Sequence, residues 1–171
     1  MKVAVIRHAI AEDRATFART GQDDGLRPLT PQGRKKMRKA AQGLKLILPD
    51  IGVIGSSPLV RAMETAGIVA DCYGSPRVAK VPELAPGVAP EGCLDWLRRH
   101  DGAVTVALVG HEPDLGGLVG WLLTGRQNSF MEVKKGSVCL LEFPGRVKPG
   151  GATLLWFLKP SQLVLLGEAA G

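Results

Sequence analysis

His8 and His111, two of the chain's three histidines, each stand directly after a strongly apolar run, residues 2–7 in the first case and 104–109 in the second. Arg7 immediately precedes His8, and Arg61 follows the small polar stretch Ser56-Ser57-Pro58. Neutral imidazole is a competent nucleophile near pH 7, because its ordinary pKa of about 6.5 leaves much of it unprotonated. Two guanidiniums supply planar, permanently charged forks that match phosphate oxygens. Together these residue types fit phosphoryl transfer with His8 as the attacking base. If a backbone carbonyl holds the Nδ1 proton of His8, Nε2 keeps its lone pair for in-line attack on phosphorus. Arg7, Arg61 and His111 would bind the phosphate and stabilise the charge on its equatorial oxygens. Other phosphate chemistry lacks its residues. There is no GxxxxGK[ST] loop and no GxGxxG after a strand. No aspartate cluster is set to hold magnesium, and His8 and His111 have no evident third and fourth ligand, so no metal and no cofactor is expected.

For these side chains to meet, the elements before them must lie side by side. Residues 2–7 and 104–109 are continuous apolar runs of the kind buried on both faces of a parallel sheet. Thr30 and Pro31 make a helix start, and Met37, Ala41, Leu44 and Leu48 recur along a helix that ends near Pro49. A strand is expected over residues 51–55. Ser57-Pro58 repeats the cap-then-proline signal before a helix running to about Cys72. A short strand over 78–81, a helix over 90–99 and a helix from Pro113 to a stop at Gly125 follow. Residues 138–143 and 153–158 close the chain as an antiparallel pair. The stretch 9–29 reads as a long irregular loop, turn-rich at Gly21-Gln22-Asp23-Asp24-Gly25, and a loop of that length is commonly functional. The sum is an α/β chain: a three-layer α/β/α sandwich with a mostly parallel central sheet. Ligands of such sheets bind outside the carboxyl ends of the strands, where Arg7, His8, Arg61 and His111 all fall.

The bulk properties agree. A chain of 171 residues suits one domain, taken here as residues 1–171. Its 45% hydrophobic and 22% charged content excludes disorder as the main state. The net charge of +6 favours anionic partners. With only 5% aromatic residues, stacking platforms for single-stranded nucleic acid are hard to build, so no nucleic-acid partner is expected. Cys72, Cys93 and Cys139 are dispersed and odd in number, as in a reduced, cytoplasmic protein. No run is long enough to span a bilayer or serve as a signal core, so no membrane partner is expected. The absence of a heptad or extended apolar seam makes a monomer the default.

Four motifs in order carry a resemblance: Arg7-His8-Ala9-Ile10-Ala11-Glu12, Leu29-Thr30-Pro31-Gln32-Gly33, Ser57-Pro58-Leu59-Val60-Arg61-Ala62-Met63-Glu64-Thr65-Ala66, and Gly110-His111-Glu112-Pro113. The chain resembles the histidine phosphatase superfamily, whose fold is phosphoglycerate mutase-like, and within it the small phosphohistidine phosphatases of the SixA type. That likeness implies a phosphohistidine intermediate on His8, with phosphate held by Arg7, Arg61 and His111. It implies a histidine-phosphorylated protein, such as one with a phosphotransfer-type domain, as substrate. Ala9 departs from the family's usual Arg-His-Gly. The resemblance also points to an acidic residue after the third strand, and Glu83 is the positional candidate for the general acid. Glu12, Asp13 and Glu112 are alternatives. Two other functions stay open, a phosphatase of small phosphate esters and a non-catalytic phosphoprotein-binding module.

Several residues have blander explanations. The run Arg34-Lys35-Lys36-Met37-Arg38-Lys39 could dock an acidic partner, but its charges fall away from the apolar helix face, as on a solvated surface. His100, beside Arg98 and Arg99, suits a helix C-terminus. The cysteines, Trp96, Trp121 and Trp156 read as packing residues.

Overall fold

In the computed structural model, which describes residues 1–169, six strands form one sheet in the order β3-β2-β4-β1-β5-β6. They are β1 (Lys2–Arg7), β2 (Val53–Ser56), β3 (Arg77–Lys80), β4 (Thr105–Gly110), β5 (Val138–Glu142) and β6 (Thr153–Leu158). The first four are mutually parallel, and β5 and β6 run antiparallel to their neighbours. Six helices accompany them: α1 (Arg14–Ala18), α2 (Pro31–Ile47), α3 (Val60–Cys72), α4 (Glu91–Arg98), α5 (Asp114–Thr124) and α6 (Pro160–Ala169).

The three layers follow from the period of two along each central strand. Ala4 and Ile6 of β1 point with Ala107 and Val109 of β4 into a core shared with α2, α3 and α6. Val3 and Val5 point with Val106 and Leu108 the other way, against Leu94 and Leu97 of α4 and Leu118 and Leu122 of α5. Both faces being covered explains why these strands read as unbroken apolar runs.

Helix starts and stops are set locally. Thr30 caps α2 by accepting from the Gly33 amide at 2.9 Å. Gly33 itself lies so close to the Ile10 carbonyl that a Cβ there would collide with it, which pins the start of α2 to the segment after His8. Gly125 ends α5 in the left-handed region, at φ 77°.

Three expectations need correction. Ser57 does not cap α3: the helix begins at Val60 with no side-chain cap, and the Ser57 hydroxyl is committed elsewhere. The stretch 9–29 is not purely loop, since it holds α1, capped by Asp13, and a 3₁₀ turn over Asp24–Leu26. The terminal α6, Pro160–Ala169, follows the last expected strand and adds a helix beyond the expected elements. Strand bounds also shift by one or two residues, most at β2, which starts at Val53 rather than Ile51. No described helix is long and apolar enough to cross a membrane.

Candidate active site

Strand register brings the two histidines together. β1 pairs with β4 so that Arg7 stands opposite Gly110. The next residue of each chain segment, His8 and His111, therefore leaves the sheet at the same edge, and their ring centroids lie 5.0 Å apart. The His8 amide continues the ladder to the Gly110 carbonyl at 3.0 Å. On the other side of β4, Ser57 donates its amide to Val109 and its hydroxyl lies 2.8 Å from His111 Nε2. Arg61, on the first turn of α3, completes the group.

His8 is 5% exposed. Its Nδ1 lies 2.7 Å from the Ala9 carbonyl, which can only accept, so Nδ1 carries the proton and Nε2 is left with its lone pair. Ala9 is held in turn: its amide donates to Thr65 Oγ1, and the Thr65 hydroxyl donates to the Arg61 carbonyl. Alanine fits here because its side chain packs in the core and no left-handed backbone is required.

Burial dominates the electrostatics. Desolvation lowers the pKa of His8 to about 3, against a smaller opposing effect of the Ala9 hydrogen bond and with help from His111, Arg61 and Arg7. Desolvation, then Arg61 and Arg7, lowers that of His111 to about 4. Both rings are neutral at pH 7. Arg61 donates Nη1 to the Asp24 carbonyl at 2.8 Å and pairs Nη2 with the Asp24 carboxylate at 3.2 Å. Arg27 also donates to that carboxylate at 2.8 Å and holds it below the usual carboxyl range. Arg7 donates Nη1 to the Val133 carbonyl at 2.8 Å. Three polar atoms of this group, Arg7 Nε, Arg61 Nε and His111 Nδ1, are buried without a hydrogen-bond partner. Buried donors in that state call for an acceptor. A phosphate oxygen is one.

These four residues share a pocket of about 620 Å³ whose other walls include Glu12, Asp13, Arg14, Arg27, Glu112 and Lys135. Glu83 is not among them. It sits in the 3₁₀ turn Pro82–Leu84 and lines a separate hollow of about 300 Å³ on another side of His111. Of the alternative acids, Asp13 accepts from Thr16 as the cap of α1, and both oxygens of Glu112 accept backbone amides, from Val133 at 2.6 Å and Gly116 at 2.9 Å. Glu12 is exposed and makes no side-chain bond among the described residues.

A family model described as the histidine phosphatase superfamily (branch 1) matches residues 3–85. An uncharacterised protein of Picosynechococcus sp. is 35% identical over 144 residues, 81% of this chain and 82% of that one. The phosphohistidine phosphatase SixA of Escherichia coli is 29% identical over 166 residues, 95% of this chain and 96% of its own. The chain belongs to the histidine phosphatase superfamily. A solved structure of the protein histidine phosphatase SixA complexed with tungstate superposes with a TM-score of 0.81 at 28% identity, covering 95% of this chain and 99% of that one.

As a phosphatase of this superfamily, the chain carries pocket residues that lie outside the motifs, Arg14, Arg27 and Lys135, and two residues that bond the site from its edge, Asp24 to Arg61 and Ser57 to His111. Ser57 carries a cap signal in the sequence because serine before proline is ambiguous between cap and loop. Asp24 and Arg27 lie within the long stretch 9–29, but only the folded loop shows that Asp24 meets Arg61 and Arg27 meets Asp24. Lys135 had no signal. His100, outside the site, donates Nδ1 to the Trp96 carbonyl at 2.8 Å and satisfies the end of α4.

Proposed function

We propose that the chain hydrolyses phosphohistidine on a protein, through a covalent intermediate on His8. What carries the proposal is the fixed tautomer of His8: a neutral Nε2 lone pair held beside two guanidiniums and a second neutral imidazole. The lone pair attacks phosphorus on a phosphohistidine protonated at its other ring nitrogen, and the P–N bond breaks with its electron pair returning to that ring, which leaves as neutral imidazole. Water then attacks the phosphorylated His8, the new P–N bond breaks, and inorganic phosphate leaves. Arg7 and Arg61 bind the equatorial oxygens through both stages.

His111 acts as a hydrogen-bond donor. Donation by the Ser57 hydroxyl to Nε2 leaves the proton on Nδ1, the orphaned buried atom, ready for a phosphate oxygen. The opposite tautomer would set a lone pair against the oxygen's own. Ser57 is thus a positioning residue that selects the tautomer. An imidazole leaving group is a weak base compared with an alkoxide, so the reaction asks little of a general acid. The separation of Glu83 from the pocket that holds His8 supports a phosphoramidate substrate for the same reason. A small-ester phosphatase remains the second function, favoured by the hollow that Glu83 shares with His111.

Phosphate release from a histidine-phosphorylated carrier protein, run beside an aryl phosphate with a chelator present, tests the proposal. Chelator-resistant release, strongest on the carrier and lost in His8→Ala, is expected. Activity confined to the aryl ester would overturn the substrate assignment, and no turnover of either would favour a binding module.

A further inference from the structure

Beside the catalytic pocket, an apolar groove of about 440 Å³ runs between α2 and α6. Ile10, Ala40, Val164 and Leu165 line it, and Leu165 is 64% exposed. Its only charged lining residues are Lys36 and Lys135, both exposed and neither ion-paired among the described residues. Lys39, one turn along α2, is by contrast neutralised by Glu168 at 2.6 Å. The groove adjoins the pocket: Ala9, which lines the groove, directly follows His8, and Lys135 lines both hollows.

We infer that this groove docks the phosphorylated protein itself, taking an aliphatic side chain and a neighbouring carboxylate from the surface beside its phosphohistidine; the inference rests on the phosphohistidine function proposed above. An apolar floor with two unpaired cations complements that pairing of side chains. A second copy of this +6 chain would bring like charge instead. Lys36 belongs to the basic run 34–39, in which Arg34 and Lys39 are paired with Glu64 and Glu168, and it is the charged member of that run that borders the groove. None of Arg7, His8, Arg61 and His111 lines the groove, so a small phosphorylated molecule held by them leaves the groove to act on protein substrates alone.

Lys36→Glu, Leu165→Glu and the double variant lie outside the catalytic pocket at exposed positions, and thermal melting checks that they remain folded. Steady-state kinetics on a histidine-phosphorylated phosphocarrier protein and on phosphoramidate separate docking from chemistry. For the double variant, KM on the carrier is expected to rise roughly tenfold with kcat preserved, while kcat/KM on phosphoramidate stays within about twofold. An unchanged KM on the carrier would overturn the docking site, as would equal losses on both substrates. Failure of the wild type on the carrier, with aryl phosphate still cleaved, would instead remove the phosphohistidine function and the docking site with it.

Discussion

At His8, one hydrogen bond and one environment do separate jobs. The Ala9 carbonyl chooses which nitrogen is free, and burial keeps the ring neutral. Titration of the two site histidines by NMR in the free protein is expected to give midpoints well below the ordinary value of about 6.5, whereas exposed imidazole would titrate near it. A midpoint above 6 for His8 would contradict the desolvated site. The acid can be tested beside it. Glu83→Gln is expected to leave phosphoramidate turnover within about twofold, since the leaving imidazole needs little help, and to weaken aryl phosphate turnover more. Parallel losses of a hundredfold or so on both substrates would make Glu83 the acid for either. Arg7, His8, Arg61 and His111 were legible because each ends or directly follows a strand, or opens a helix, with a clear pattern. Their accessory partners were not. Asp24 meets Arg61 across a separation that no local pattern encodes, and the role of Ser57 depends on which neighbour β4 has.

Elements fix these distances, and the tightest junction is between α2 and α6. A Cβ on Gly43 would collide with the backbone carbonyl of Leu163, an atom that cannot swing aside. Gly43→Ala therefore gains about 1 kcal/mol of helix propensity but incurs overpacking of about 1–3 kcal/mol. Urea unfolding is expected to show a net loss. Gly67→Ala in α3, where a Cβ meets nothing, is expected to stabilise by about 0.5–1 kcal/mol, and the same sign at both positions would refute the packing argument. The parallel core of the sheet was legible from its continuous apolar runs, and α2 from its cap and periodicity. By contrast, α6 escaped because Pro160 through Ala169 has a weak amphipathic pattern, and only Leu163 of that helix is fully buried. The short α1 escaped because its five residues offer one buried side chain, Phe17.

For the molecule as a whole, two buried neutral histidines couple folding to pH. Both folded pKa values lie below the unfolded value, so the unfolded chain binds more protons as pH falls. Stability is unaffected by these groups above about pH 6.5 and declines below it, until the folded pKa values near 3 and 4 are reached. At pH 5 each histidine contributes a loss of roughly 2 kcal/mol. Denaturant unfolding from pH 7 to 5 is expected to show that decline, reduced in His111→Gln. A flat profile would contradict it. The depressed carboxyls Asp13 and Asp24 act in a lower window, since their stabilisation is lost only as pH falls through values below 3.8.

The measurement closest to the catalytic claim is a rapid quench of the protein with a phosphoramidate substrate carrying labelled phosphate. The label is expected on His8 as an acid-labile, alkali-stable phosphoramidate that decays with release of phosphate, and it should be absent from His8→Ala. Turnover with no label at His8, or an undiminished label in the variant, would contradict His8 as the nucleophile.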